Sequence, residues 1–398
     1  MTKAIRTAIG VLVILALSGL AWLAFQPTQR PQARARLEAP QARSDLSGFA
    51  RALAPRSFTF PADHGPHPNY QTEWWYYTGN VQDQLGRAFG YQFTIFRRAL
   101  TAEPITRASS LATNQLYFAH FALTDINGQQ HVAGEKFSRG AGGLAGACAR
   151  GSDTPCPDGI SFHAFIEDWS VIALDEIGDV VRIRAAHENH QLDLTLRSIK
   201  PIVLHGDRGH SPKSSEPGNA SFYYSFTRLQ TEGQLRFDGT SFAVSGLSWM
   251  DHEWSTSALG ANAVGWDWFS IQLDDQRELM LFQIRNADGT LEPASTATFV
   301  EANGQTIHLT GNDFRLEPQA HWRSPHSGGE YPVRWRIHIP SRQIDLTVEA
   351  RAADQEMNVS IVYWEGAISV SGAIQGRPVR GHGYLEMTGY AESINGRF

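Results

Sequence analysis

The stretch FPADHGPHPNYQTEWWYYTGNVQDQLGRAFGYQFTIFRR, Phe60 to Arg98, places two histidines and three carboxylates around a dense aromatic run and an alternating apolar segment. An extended chain turns successive side chains to opposite faces. Trp74 and Tyr76 then share one face and Trp75 and Tyr77 the other, so one pair can line an interior while the other covers the outside. His64, His67, Tyr70 and Glu73 precede the aromatics in a Pro-interrupted span that no regular helix fits. The combination points to a binding site for something apolar. A plain core strand is the competing reading, because aromatic residues are ordinary strand formers.

Outward from this segment, alternating runs recur, among them Gln115 to Thr124, Val180 to Ala186, Gln191 to Arg197, Phe222 to Leu229, Leu279 to Asn286, Pro332 to Ile339 and Val379 to Glu386. Turn pairs such as Asn127-Gly128 and Asp158-Gly159 separate them. That spacing predicts antiparallel barrels or sandwiches. A repeat sharpens the expectation. WWYYTGNVQDQLGRAFGYQF, from Trp74, lies over WDWFSIQLDDQRELMLFQI, from Trp266, with one residue deleted; Trp74 matches Trp266, Tyr76 matches Trp268 and Tyr77 matches Phe269. An all-β chain of two similar antiparallel β-barrel domains follows, at residues 44–231 and 232–398. Ser44 to Pro55 is expected to form a short helix ended by Pro55.

Lys3 and Arg6 precede an uncharged apolar run from Thr7 to Phe25. Residues 1–25 therefore read as a signal peptide or membrane anchor that leaves the rest of the chain on the periplasmic side of the inner membrane. Residues 26–43, rich in Pro, Gln, Ala and Arg, read as a linker. In an oxidising compartment Cys148 and Cys156, the two ends of CARGSDTPC, are expected to pair. The net charge of -6 gives none of the basic footprint that nucleic-acid binding requires, so no nucleic-acid partner is expected.

A second concentration of chemistry, GLSWMDHEWSTSALGANAVGWDWFS from Gly246 to Ser270, mirrors the first. Here Asp251, His252, Glu253 and Trp254 follow Trp249 and precede Trp266, Asp267 and Trp268. An apolar wall raises a carboxyl's pKa and lets it donate a proton near neutral pH. Indole faces attract cations, so Trp249, Trp254 or Trp266 can shelter the carbocation such a proton creates. Turn-capping acids and core tryptophans are the structural alternative. His64, His67, His252 and Asp251 include metal-ligand types, but their spacing resembles no helix-mounted zinc pair and no metal is expected. Ser248 and Ser257 lack a nucleophile elbow. His187, His190, His205 and His210 read as solvated strand-end and loop residues.

At FPADHGPHPNYQTEWWYYTGNV with GYQFTIFRR, and at GLSWMDHEWS with WDWFSIQLDD, the chain resembles the family of carotenoid 1,2-hydratases and AttH-like proteins, over roughly Ser57 to Met387. That family includes hydroxyneurosporene synthase and is related to fungal cyclases acting on polyenes. The resemblance implies a tandem lipocalin-like (calycin) fold, an isoprenoid-like or lipid ligand and, in the hydratase branch, addition of water to an isolated double bond with no redox cofactor. His252 and Trp254 match its H-x-W element, and Asp267 takes the approximate place of a second-domain acid. Asp251 or Asp267 is then the candidate acid. His64, His67, Tyr70, Glu73, Trp74, Tyr76, Trp249, Trp266 and Trp268 would line the ligand site, with His64, His67 and Glu73 as supporting polar groups. The membrane-targeting N-terminus and the Cys-containing loop look more like the AttH-like branch. Besides a cofactor-free hydro-lyase, the sequence admits a non-catalytic periplasmic carrier of a hydrophobic ligand beside a membrane transporter, and a dry barrel that only presents a protein surface.

Overall fold

The computed structural model describes residues 46–394 except 106, 107, 110 and 258. The apolar N-terminal run and its linker lie outside the described residues. Among those described, antiparallel strands and two short 3-10 turns make up the regular structure. The first sheet comprises β1 (Thr72–Asp83), β2 (Ala88–Ala99), β3 (Gln115–Asp125), β4 (Gln130–Arg139), β5 (Ala145–Ala149), β6 (Phe162–Ile166), β7 (Trp169–Ala173), β8 (Val180–His187), β9 (His190–Ser198), β10 (Val203–Leu204), β11 (His210–Pro212), β12 (Ala220–Phe237) and β13 (Thr240–Ser257). Its order is β4-β3-β2-β1-β13-β12-β9-β8-β7-β6-β5, with β10 and β11 alongside β12.

The second sheet comprises β14 (Ala263–Leu273), β15 (Glu278–Asn286), β16 (Thr296–Val300), β17 (Thr306–Thr310), β18 (Arg315–Arg323), β19 (Glu330–Ile339), β20 (Ile344–Ala350), β21 (Glu356–Asn358), β22 (Val362–Ile374) and β23 (Arg377–Met387). It runs β17-β16-β15-β14-β23-β22-β20-β19-β18, with β21 beside β22. Laying β1 on β14 and β13 on β23 brings the two orders into register. The repeat read at Trp74 and Trp266 therefore extends to whole sheets, one curled into a nearly closed barrel and the other into a half-barrel, in the lipocalin-like manner.

Alternation decides which residues meet where. Trp75 and Tyr77 face into the first barrel with Phe93, Phe121 and Leu194. Phe269, Leu281, Trp335 and Leu385 fill the second. Tyr76, Tyr223, Trp249, Trp268, Phe282 and Tyr384 form a third apolar cluster, contributed by the outer faces of both sheets where the barrels meet.

Two expectations are corrected. The domain boundary at 231/232 falls inside β12, because Gly233 does not reverse the chain. A Cβ there would lie 2.3 Å from the carbonyl oxygen of Asp193, so this glycine admits β9 to close approach. The reversal comes at Asp238-Gly239, both at positive φ. β13 then pairs with β1 from Asp83 to Thr72, so Gly246 to Ser257 belongs to the first sheet and the second begins at Ala263. Nor do the described residues 46–55 form a helix. Gly48 has φ +83, Ala50 N donates to Asn69 O at 2.9 Å, and the segment lies across the first barrel with Phe49 and Ala52 buried. Cys148 and Cys156 are joined in a disulfide at the end of β5.

Candidate functional site

Tyr224 stands opposite His252 in the β12–β13 ladder, and Ser225 opposite Asp251. Because neighbours on a strand face opposite ways, this pairing builds two polar networks back to back on one wall.

Inside the first barrel, His64 Nδ1 lies 2.6 Å from the Tyr224 hydroxyl, which lies 3.0 Å from His252 Nδ1. His252 Nε2 bonds Glu73 Oε1 at 2.9 Å, and His67 Nδ1 bonds the same oxygen at 2.7 Å. Arg97 closes the network on Glu73 Oε2 at 2.7 Å and donates to the carbonyls of His67 and Tyr70. Burial opposes the charge on Glu73, but Arg97, His67 and the hydrogen bonds from both imidazoles outweigh it and hold the carboxyl well below its usual range. Burial likewise works against protonated His67, and Glu73 and Asp63 reverse it, raising the imidazole. His64 and His252 are both pushed down, chiefly by burial, and His64 reaches about 3. Trp254 stacks on His67 with ring centroids 3.7 Å apart. His67, Glu73 and His252 offer ligand atoms within 4.8 Å of one another, close enough to share a cation. In this structure those atoms bond each other, and Arg97 supplies the positive charge beside Glu73.

Between the barrels, Asp251 is 4 % exposed. It accepts from the Tyr223 hydroxyl at 2.6 Å, from Trp249 Nε1 at 2.6 Å and from the Ser225 hydroxyl. Trp268, from the second barrel, donates to the Tyr223 hydroxyl at 3.0 Å. Burial nevertheless pushes the Asp251 carboxyl up to about 7, against the pull of its three donors. Two more acids face it. The Tyr76 hydroxyl donates to Glu365 at 2.7 Å, and Glu365 pairs across the β22–β23 ladder with Glu386, the cross-strand partner of Trp268. Burial raises Glu386 to about 8; burial and then Glu386 lift Glu365 well above the carboxylate range. Glu365 and Glu386 thus favour the protonated form near neutral pH, and Asp251 is poised between its two forms there.

Buried polar atoms on these facing surfaces lack protein partners: Glu365 Oε2, His120 Nε2, Gln92 Oε1, Thr78 Oγ1 and Thr227 Oγ1. Orphaned buried donors and acceptors ask for water or a ligand. Inside the first barrel Trp254 Nε1 is orphaned too, but every Glu73 and His252 ligand atom is engaged.

The residues grouped by sequence as catalytic thus occupy three compartments. His252 and Trp254 point into the first barrel and Asp251 lies between the barrels. Asp267 sits in the second barrel, bonded to Gln283 at 2.8 Å and the Tyr390 hydroxyl at 2.9 Å, and burial raises its carboxyl against the pull of Arg285. Of the expected ligand-site residues, His64, His67 and Glu73 join His252, and Tyr70 packs at the edge of that core against Phe222. Trp74, Tyr76, Trp249, Trp266 and Trp268 gather around Asp251 and Glu386, where Trp266 also hydrogen-bonds Glu386. Sequence reasoning missed Glu365 and Glu386, each a glutamate set in an apolar strand run, YWEGAIS and GYLEM. It also missed Tyr223 and Ser225, and it read His205 as solvated although His205 is fully buried.

The AttH-like family model matches residues 51–390. A crystal structure of an AttH protein from Nitrosomonas europaea superposes with a TM-score of 0.73 at 32% identity, covering 86% of this chain and 100% of that one. Kievitone hydratase from Nectria haematococca superposes with a TM-score of 0.63 over 88% of this chain and 98% of its own, and at 16% identity it shows a shared fold. In sequence, the dehydratase asqC of Emericella nidulans is 22% identical over 220 residues, 52% of this chain and 60% of that protein, so the match spans less than two thirds of that relative. By the reach of the family model and the likeness to the Nitrosomonas protein, the chain belongs to the AttH-like family.

Proposed function

We propose that this protein is a cofactor-independent hydro-lyase that binds an apolar isoprenoid or lipid between its barrels and adds water to an isolated double bond, with Asp251 as the acid. The observation that carries the reading is the Asp251 carboxyl, 4 % exposed and hydrogen-bonded to Tyr223 and Trp249 among Tyr76 and Trp268, where burial raises it to about 7. Its proton goes to the less substituted alkene carbon, and the π pair forms the new C–H bond. The tertiary cation left behind faces indole and phenol rings. Water adds to it, and the resulting oxonium returns a proton to the Asp251 carboxylate, so acid and charge are restored. A hydratase among the shared-fold structures and a dehydratase among the sequence relatives support this class of reaction. The Cys148–Cys156 bond and the apolar N-terminal run support an exported, periplasmic location.

Native mass spectrometry of the full chain incubated with squalene, an acyclic isoprenoid, tests the reading. The wild type is expected to release a product one water heavier, and Asp251→Asn to bind squalene unchanged. Bound but unmodified squalene in both proteins would overturn the hydratase reading in favour of a carrier of hydrophobic cargo beside a membrane transporter.

A further inference from the structure

A carboxyl buried beneath two barrels titrates only as fast as protons reach it. One continuous hydrogen-bonded path leads from Asp251 to the surface. The Ser225 hydroxyl bonds Asp251 Oδ1, and His205 Nε2 lies 2.7 Å from the Ser225 hydroxyl. His205 Nδ1 lies 3.0 Å from Thr298 Oγ1, which lies 3.3 Å from Nδ1 of exposed His308, its partner across the β16–β17 ladder. We infer that Ser225, His205, Thr298 and His308 form a proton relay between solvent and Asp251, crossing from the second barrel to the first. The inference rests on Asp251 acting as proton donor in the proposed reaction.

The donor directions agree along the whole path. His308 Nδ1–H donates to Thr298, whose hydroxyl donates to His205 Nδ1. His205 Nε2–H donates to Ser225, whose hydroxyl donates to the Asp251 carboxylate. These tautomers are assigned from the hydrogen-bond pattern. When each member passes one proton inward, His308 regains one from water, the carboxylate becomes a carboxyl, and no electrons change hands. His205 is left with its proton on Nδ1; an outward hop would return that proton to solvent, whereas turning of the Ser225 and Thr298 hydroxyls and of the His205 ring resets the path with Asp251 still protonated. Fully buried, and facing Lys213 and His308, His205 is held well below its ordinary pKa, chiefly by burial. A neutral imidazole passes a proton on and does not trap it. At the outer end burial lowers His308 while Asp207 pulls it back up. Ser225, Thr298 and His205 are each fully buried, so the path is sheltered from side exchange.

The test reads proton exchange directly and needs no substrate. The infrared carboxyl stretch of protonated Asp251, assigned by its loss in Asp251→Asn, is followed in the full chain after rapid mixing with heavy water. Thr298→Val, an isosteric change, and His308→Gln are expected to slow its deuteration by on the order of a hundredfold. Thr298→Ser, which keeps the hydroxyl, is expected to retain the wild-type rate and separates relay from packing. Wild-type rates in both Thr298→Val and His308→Gln would overturn the relay and leave the acid intact. Absence of any Asp251-dependent band at about pH 6 would overturn both, since a carboxyl with a pKa of about 7 is mostly protonated there.

Discussion

Asp251 and His252 are consecutive on β13 yet bond on opposite faces of it, Asp251 to Tyr223 at 2.6 Å between the barrels and His252 to Tyr224 at 3.0 Å inside the first. Two adjacent tyrosines thus hold two adjacent titratable groups, with the backbone of the sheet between them. The inner network is dense in charge and hydrogen-bonded throughout at Glu73. The outer one is aromatic, acidic and short of partners. These differences set distinct expectations for each side.

Asp251 should make stability fall as the pH rises. Its carboxyl stands at about 7 in the folded protein against 3.8 for the free acid, so between those values the folded state binds more protons than the unfolded one. The associated stability is complete below the lower value and lost by the upper, amounting to on the order of 4 kcal/mol. Asp251→Asn cannot titrate. Its melting temperature is expected to trail the wild type at about pH 5 and to close the gap by about pH 8; a gap that stays constant would mean that Asp251 is ionised throughout.

His252→Leu should act through the fold. The change leaves Glu73 and Tyr224 each short of one buried partner and should cost about 2–4 kcal/mol in urea unfolding. The proton affinity of Asp251, on the far side of the sheet, should stay where it is. A shifted Asp251 titration at unchanged stability would join His252 to the outer site.

Arg97 and Glu73 form a fully buried ion pair at 2.7 Å. Arg97→Met should destabilise by about 3–5 kcal/mol, because it strands a buried carboxylate. Adding Glu73→Gln should recover part of that loss in chemical denaturation, and a double variant no better than the single would show that the pair contributes beyond charge compensation.

The Cys148–Cys156 bond closes a short loop, with a sequence separation of 8. Loop-closure entropy puts its contribution at about 2–3 kcal/mol. Cys148→Ser with Cys156→Ser should lower stability by that amount, and a reducing agent should do the same to the wild type alone.

The fold was legible because strand alternation and the Trp74/Trp266 repeat are local signals. The same overlay sets Trp75 against Asp267, and Trp75 faces inward, so the repeat already carried the information that Asp267 belongs inside the second barrel. The domain boundary was not legible, since nothing local shows that β12 runs on through Gly233 until β9 is in place beside it. Asp251 stood out as an acid among indoles. Glu365 did not, because the tyrosine that bonds it, Tyr76, lies 289 residues away in the chain. His205, a loop residue as expected, looked solvated for the same reason: Ser225 and Thr298, which bond its two nitrogens and help bury it, come from different barrels.

The proposed reaction needs Asp251 to hold a proton near neutral pH between the barrels. Carbon-13 NMR of the full chain labelled at aspartate carboxyls, titrated with pH and assigned by the signal missing from Asp251→Asn, measures this directly. A midpoint at about 7 is expected. A midpoint near 3.8, the value of a free aspartate, would contradict it.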